Sequence, residues 1–265
     1  MRVEVDDLLE IAAEAARAAG VLLVEQSRRE PSGVSSKSTP TDLVSDADHA
    51  ADELLQELIS ERRPDDGFIT EESEGRPSAT GLDWVLDPLD GTVNYLFRIP
   101  WWCVSVAAED EDGALVGAIY NPNLEEMFTA ARGRGAKLND SPIRVSDRRD
   151  LARAMIGTGF SYDPEARVRQ AETVGRVLPL ARDIRRAGSA ALDLAALACG
   201  RLDGFYEAPM EHWDRAAGEL MVREAGGVVE ELAPPRDGLS PGLIAAGPAL
   251  LPALREVVLG GESSI

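Results

Sequence analysis

The feature that most constrains the fold is a change in the spacing of apolar residues along the chain. Residues 6–29 and 45–61 repeat apolar side chains at helical spacing, which predicts two amphipathic helices. Short apolar runs follow between residues 67 and 131, and two of them, joined by an acidic turn, predict a β-hairpin. Beyond residue 150, strand-like and helix-like segments alternate. This order indicates a layered α/β fold with two subdomains.

The second half of the chain predicts four helices, in the segments 164–179, 188–200, 213–227 and 248–258, together with five strands. The segment 133–146 is interpreted as a loop that separates the subdomains. We therefore assign residues 1–140 to an N-terminal α+β subdomain and residues 141–265 to a C-terminal α/β subdomain.

The composition is typical of a globular chain, with 44% apolar and 28% charged residues among 265. No run of about 18 apolar residues occurs, and the N-terminus carries too many acids for a targeting peptide. We therefore expect a cytoplasmic protein. Cys103 and Cys199 lack the number and spacing of a metal knuckle or a disulfide framework. Only two histidines are present, which argues against a histidine-based metal site.

The chain has 47 acidic and 27 basic residues, so its formal net charge is −20. A field of that sign repels nucleic acid and anionic membrane surfaces, and we expect neither as a partner. One interpretation of the charge is solubility alone. Another is that some acids converge on cations, through which an anionic substrate binds. The charge by itself does not choose between them.

The stretch "WVLDPLDGTVNY", residues 84–95, places Asp87 and Asp90 directly after a predicted buried strand. In isolation, Pro followed by Asp-Gly is typical of an ordinary turn. The alternative is a ligand site, because open α/β sheets form their crevices at the carboxyl ends of strands. Gly91 would then allow a close approach of the backbone to the ligand. The two carboxylates and the Leu89 carbonyl would provide hard oxygen ligands suited to Mg²⁺.

Two further acidic segments carry the same ambiguity. Glu71 and Glu72 follow a short apolar strand, and Asp214 lies at a helix start. Taken singly, the first pair is typical of a solvated loop and Asp214 of a helix cap. Three acidic ends together favour a cation site more than any one of them. Hydrolysis of a phosphate monoester needs charge neutralisation and an activated water, and two Mg²⁺ ions can supply both.

Five segments resemble motifs of the inositol monophosphatase family and follow one another along the chain in the family's order. "WVLDPLDGTVNY" and "HWDRAAGELMVREAGG" resemble its two signatures, and "RRAGSAALDLAALACGRLDGFYEAP" its substrate-side segment. "KSTPTDLVSDAD" and "FITEES" resemble its mobile loop and its first metal carboxylate. The resemblance runs from about residue 6 to residue 258. It implies an αβαβα sandwich like that of fructose-1,6-bisphosphatase.

The resemblance also implies roles for individual residues. Two to three Mg²⁺ ions would be held by five residues, with Asp87 bridging: Glu71, Asp87, Leu89 (carbonyl), Asp90 and Asp214. Thr92, in contact with Asp48, would orient the attacking water, with Glu71 a third residue of the catalytic group. The remaining implied residues contact the substrate or lie at the cavity entrance: Asp90, Gly91 and Thr92 at the phosphate, Gly188, Ala190 and Glu207 at the polyol, and Lys37 in the mobile loop.

The function that the resemblance implies is Mg²⁺-dependent hydrolysis of inositol 1-phosphate or a similar sugar monoester, by a lithium-sensitive homodimer. Histidinol phosphate, fructose 1,6-bisphosphate and adenosine 3′,5′-bisphosphate are alternative substrates. A hypothesis of another class is a regulatory binding protein in which catalysis is incidental. Such a module need not keep the metal ligands and Thr92 together, and this chain has all of them.

Overall fold

The computed structural model describes residues 5–37, 43–235 and 237–260. Residues 38–42, part of the predicted mobile loop, lie outside these ranges. Within the described ranges the helices are Val5–Ser27 (α1), Asp46–Arg62 (α2), Thr92–Leu96 (α3), Pro164–Val177 (α4), Ala190–Ala198 (α5), His212–Glu224 (α6) and Leu251–Val258 (α7). None of the helices in the described part of the chain is long and apolar enough to cross a membrane.

The first half of the chain forms a seven-stranded sheet whose spatial order is the chain order. The first two strands pair parallel and all others antiparallel. Its strands are Gly67–Thr70 (β3), Asp83–Asp90 (β4), Cys103–Asp110 (β5), Gly113–Asn121 (β6), Glu126–Ala131 (β7), Gly135–Leu138 (β8) and Ser141–Ile143 (β9). A separate antiparallel pair precedes it, Ser35–Ser36 (β1) with Leu43–Val44 (β2).

The second half forms a five-stranded mixed sheet. Its strands are Met155–Thr158 (β10), Asp183–Arg185 (β11), Gly204–Glu207 (β12), Val228–Leu232 (β13) and Gly242–Ala246 (β14). The order is β11-β10-β12-β14-β13, with β10 parallel to both of its neighbours and β14 antiparallel to both of its own.

The two sheets alternate with three layers of helices. In β4, Trp84 joins a core with α1 and α2, whereas the next residue, Val85, points to the opposite face and joins a core with α5 and α6. In β12, Phe205 packs on that same middle layer, and Tyr206 packs on the outer layer with α4 and α7. The predicted αβαβα sandwich is therefore confirmed.

The interpretation of segment 133–146 as a loop is wrong. It contains β8 and β9, a hairpin that continues the first sheet. Its turn residues, Asn139 and Asp140, have φ values of 45° and 65°, which suit a tight two-residue turn. The sequence gives little strand signal here because both strands are short and mostly exposed or half-buried. The subdomain division at residue 140 stays a prediction.

The middle helix layer lies unusually close to the first sheet at Gly117 in β6. A Cβ added there would lie 3.0 Å from the Ala217 Cα in α6. We expect Gly117→Ala to lower the free energy of unfolding by about 1–3 kcal/mol, because the helix and the sheet must separate to admit the methyl group. Urea unfolding of the purified variant measures the change.

Gly175 provides the control for this substitution, because it is exposed in α4 and a Cβ there meets nothing within 4 Å. Gly175→Ala should stabilise the protein by about 0.5–1 kcal/mol through helix propensity. Equal stability changes in the two variants would contradict the close approach of α6 to β6.

Candidate active site

The end of β4 positions the first two carboxylates. Asp87 pairs with Ser105 and Asp90 pairs with Cys103, so three residues on β5 match four on β4 through a bulge. The predicted turn after Asp87 is therefore a bulge within the strand. The Leu89 N–H donates to Asp87 Oδ1 at 3.1 Å, which fixes one oxygen of that carboxylate.

Gly91 follows β4 with φ of 99° and begins α3. A side chain at Gly91 would be strained by that φ value, and its Cβ would lie 3.1 Å from the Trp101 carbonyl and 3.2 Å from the Gly188 carbonyl. The glycine therefore allows the end of β4 to lie against the segment that starts α5.

Asp90 is held by the start of α5. Its Oδ2 accepts from the Ser189 hydroxyl at 2.6 Å and from the Ala191 N–H at 2.7 Å, and its Oδ1 accepts from the Ala190 N–H at 3.3 Å. These donors and the helix dipole favour a carboxylate at this position. Ser189 was predicted only as a helix cap, and the Ala190 N–H here contacts Asp90.

Thr92 connects the cavity to α2. Its hydroxyl lies 2.9 Å from Asp48 Oδ1 and 3.1 Å from the Leu89 carbonyl. Asp48 is itself fixed, because its Oδ2 accepts from the backbone N–H and the hydroxyl of Ser45. The predicted contact between Thr92 and Asp48 is thus present, and both side chains are buried.

Glu71 lies just beyond β3 and is paired with a lysine. Lys37 Nζ lies 2.7 Å from Glu71 Oε1 and also contacts Glu72. Burial alone would lower the pKa of Lys37, but the two carboxylates outweigh it and raise that pKa. Burial, followed by the charge of Glu71, raises the pKa of Glu72 to about 7. Sequence reasoning placed Lys37 near the entrance and did not identify its two carboxylate partners.

Asp214 comes from the first turn of α6 and lies opposite these residues. Its Oδ2 accepts from the Glu211 N–H at 2.9 Å, and Glu211 occupies the cap position. Burial raises the pKa of Asp214, and the charges of Glu71 and Asp90 raise it further. The carboxylate therefore interacts with other acids across the cavity as well as capping its helix.

A cavity of about 640 Å³ brings the predicted residues together. Asp48, which reaches it through Thr92, is the one predicted site residue that does not line its wall. The predicted residues that do line it are Lys37, Glu71, Asp87, Leu89, Asp90, Gly91, Thr92, Gly188, Ala190, Glu207 and Asp214.

The electrostatics of the cavity favour a bound cation. Burial raises the pKa values of all four acids, Glu71, Asp87, Asp90 and Asp214. The negative charges of neighbouring acids also raise the pKa values of Glu71, Asp87 and Asp214. Within the described ranges, no three His, Cys, Asp or Glu side chains converge closely enough to hold one ion as they stand. The acids are instead turned toward protein donors. The carboxylate set, with the Leu89 carbonyl, nevertheless fits the oxygen preference of Mg²⁺.

Asp193 and Arg186 are among the cavity residues that the sequence did not identify. Asp193 in α5 is 3% exposed, and Arg186 lies between β11 and α5 with its guanidinium 5.7 Å from the Phe160 ring centre. Burial raises the pKa of Glu207 to about 8, and the Arg186 charge opposes that shift. Asp193 lies in the first turn of a predicted helix, and nothing in the local sequence pattern indicates that it lies near Glu207.

The raised pKa of Glu207 predicts a pH dependence of stability in the metal-free protein. Its carboxyl titrates near pH 8 when folded and near 4.5 in its ordinary environment. Folding therefore favours the protonated form, and this contribution is full below about pH 4.5 and is lost as the pH rises through about 8. We expect Tm to fall between about pH 5 and pH 8.5, and to fall less in Glu207→Gln. Parallel Tm profiles of the two proteins would refute this assignment.

Comparison with known proteins places this geometry in a family. The chain matches the model of the inositol monophosphatase family over residues 4–259. It is 41% identical over 250 residues to a Pasteurella multocida protein named Nus factor SuhB, covering 92% of each chain. It is 43% identical over 258 residues to the Xylella fastidiosa protein of the same name, covering 94% of this chain and 93% of the relative.

Solved structures agree. The extragenic suppressor protein suhB from Bartonella henselae superposes with a TM-score of 0.88 at 38% identity, covering 98% of this chain and 100% of that one. The inositol monophosphatase from Anabaena superposes with a TM-score of 0.83 at 34% identity, covering 96% of each. Sequence, fold and the arrangement of acids around one cavity agree, and the chain belongs to the inositol monophosphatase family.

Proposed function

We propose that the protein is a Mg²⁺-dependent phosphate monoester hydrolase that acts on inositol 1-phosphate or a similar small polyol phosphate. The observation that carries this proposal is the group of four acids around one cavity beside the Thr92–Asp48 pair, with Asp87 and Asp90 buried and Glu71 and Asp214 half-buried. So many like charges in one cavity are costly unless cations neutralise them.

Two to three Mg²⁺ ions would be held by these four carboxylates and the Leu89 carbonyl. Bound there, the ions would supply Lewis acidity toward the phosphoryl oxygens and would lower the pKa of water. The Thr92 hydroxyl, held by Asp48, would orient the attacking water. The backbone of Gly91 and Thr92, with Asp90 beside it, would bind the phosphate, and Glu207 would accept hydrogen bonds from the alcohol.

Lys37 would regulate access to the first ion site. Its ammonium group occupies the Glu71 oxygen that a cation needs, so ion binding would displace it from Glu71. The contact with Glu72 could persist and keep the lysine beside the cavity. Lithium sensitivity, a cytoplasmic location and a homodimer complete the proposal. Light scattering on the purified protein tests the dimer.

A substrate panel tests the proposed activity. Inositol 1-phosphate, histidinol phosphate, fructose 1,6-bisphosphate and adenosine 3′,5′-bisphosphate should be compared by kcat/KM with Mg²⁺ present. We expect inositol 1-phosphate to have the highest value. A higher kcat/KM for one of the other three compounds would make that compound the proposed substrate and would leave the proposed reaction, phosphate monoester hydrolysis, unchanged.

The names of the relatives support a second candidate function. The matched proteins from Pasteurella multocida and Xylella fastidiosa are each named Nus factor SuhB, and that name describes them as factors rather than as enzymes. By extension, this chain would act as a regulatory binding protein with incidental phosphatase activity. The net charge of −20 favours a protein partner over direct contact with nucleic acid. This function would take precedence if the folded protein hydrolysed none of the four substrates.

A further inference from the structure

Two carboxyl groups at the polyol end of the cavity have no role in holding metal. Asp193 lies in the first turns of α5, and Glu207 ends β12. Both line the same cavity as the metal-site acids. Because they come from different elements, one on a helix and one on a strand, their meeting is produced by the packing of α5 on the second sheet.

A glycine makes room for one member of this pair. A Cβ added to Gly159, just beyond the end of β10, would lie 2.0–2.1 Å from the Glu207 carboxyl atoms. At Gly157, two residues earlier, a Cβ would first meet Leu202 and Phe205, with the Asp193 Cβ in ordinary contact at 3.8 Å. The Glu207 carboxyl thus occupies the space that a side chain at Gly159 would fill.

Neither carboxyl accepts a hydrogen bond from another described residue of the protein. Asp193 is 3% exposed, yet among the described residues no donor forms a hydrogen bond with the side chain of either Asp193 or Glu207. The oxygens of both carboxyls are open to the cavity rather than enclosed without a partner. They are therefore free to form hydrogen bonds with a ligand that enters this part of the cavity.

The charges around the pair indicate a neutral ligand at this end. Arg186 faces both acids, and its charge opposes the effect of burial on the pKa of each. Burial nevertheless raises the pKa of each carboxyl, and the charge of Glu207 raises the pKa of Asp193 further. A carboxyl that keeps its proton can donate as well as accept a hydrogen bond. Hydroxyl groups, which also do both, match this pair better than a second phosphate or an apolar group.

We propose that Asp193 is a specificity-determining residue which, paired with Glu207, hydrogen-bonds adjacent hydroxyls of the leaving alcohol and so selects polyol phosphates over monoesters without hydroxyls. This inference rests on the proposed phosphatase function and extends it to the choice of alcohol. Glu207 alone would form hydrogen bonds at one position of the alcohol, whereas Asp193 and Glu207 together would form hydrogen bonds with two neighbouring hydroxyls.

The test compares two substrates in one protein. Inositol 1-phosphate has hydroxyls beside the ester, and phenyl phosphate has none. We expect Asp193→Asn to lower the ratio of their kcat/KM values, inositol 1-phosphate over phenyl phosphate, by about tenfold or more, as expected when a hydrogen bond to a substrate hydroxyl is lost. Asp203→Asn is the matched control, because Asp203 is also buried but bonds to Ser146 and the Met155 N–H outside the cavity. The control should keep the wild-type ratio.

Gly159→Ala tests the pair from the opposite wall. The added methyl group must displace the Glu207 carboxyl, so this variant should lower the same ratio without touching α5. An unchanged ratio in both variants, or an equal loss on both substrates, would overturn the inference. Failure of the proposed function has a different signature, because the folded wild type would then release phosphate from neither substrate, and the inference would fall with it.

Discussion

Replacing Asp214 with asparagine should lower the Mg²⁺-dependent kcat by about a thousandfold or more, and Asp90→Asn should have an effect of similar size. Each carboxylate would be a ligand of the second ion, and an amide provides a neutral and weaker oxygen. Loss of a charge-stabilising ion from phosphoryl transfer is worth several kcal/mol, and each 1.36 kcal/mol is tenfold in rate. Initial rates with inositol 1-phosphate across a Mg²⁺ titration measure the effect.

The control for both variants is Asp66→Asn. Asp66 is also a buried aspartate, but it accepts from Arg63 and from the Trp84 indole outside the cavity. Its substitution should lower the free energy of unfolding by about 1–3 kcal/mol and leave kcat within a few-fold of wild type. Near wild-type turnover in Asp90→Asn or Asp214→Asn at saturating Mg²⁺ would show that the carboxylates do not hold the catalytic ions.

Thr92→Val should lower kcat by about a hundredfold or more while preserving the side-chain shape. The change removes the hydroxyl that lies 2.9 Å from Asp48, and with it the proposed orientation and deprotonation of the attacking water. Thr92→Ser keeps the hydroxyl and should retain most of the activity. Single-turnover rates of the three proteins separate this effect from substrate binding.

Asp48→Asn provides the coupling test for the same pair. If Asp48 acts through Thr92, the double variant Asp48→Asn with Thr92→Val should be no slower than Thr92→Val alone. Multiplicative losses would mean that the two residues act independently, and full activity in Thr92→Val would remove Thr92 from the catalytic step.

The sequence located the acids from the apolar pattern around each of them. Asp87 and Asp90 lie in the last four residues of β4, and Asp214 lies in the first turn of α6. Only their combination favoured a cation site, because each alone is also typical of a turn or a helix cap. The bulge between Asp87 and Asp90 was not predictable, because a Pro and a Leu between two acids read as a turn. Pairing of Asp90 with Cys103 depends on β5, which lies elsewhere in the chain.

Contacts between distant segments could not be derived from residue spacing. Thr92 and Asp48 are 44 residues apart, and only the family resemblance paired them. The presence of Asp193 and Glu207 in one part of the cavity was found by neither route. The Glu207 carboxyl occupies the space beside Gly159, and a glycine just beyond a strand does not reveal which side chain will approach it.

Phosphate release from inositol 1-phosphate by the purified wild-type protein, measured in the same preparation before and after metal removal, shows whether the protein is a Mg²⁺-dependent phosphatase. We expect rapid release with Mg²⁺, loss of at least about a thousandfold after chelation, and recovery when Mg²⁺ is restored. Undiminished hydrolysis in the chelated protein, or no hydrolysis by the folded protein with Mg²⁺ present, would contradict this expectation.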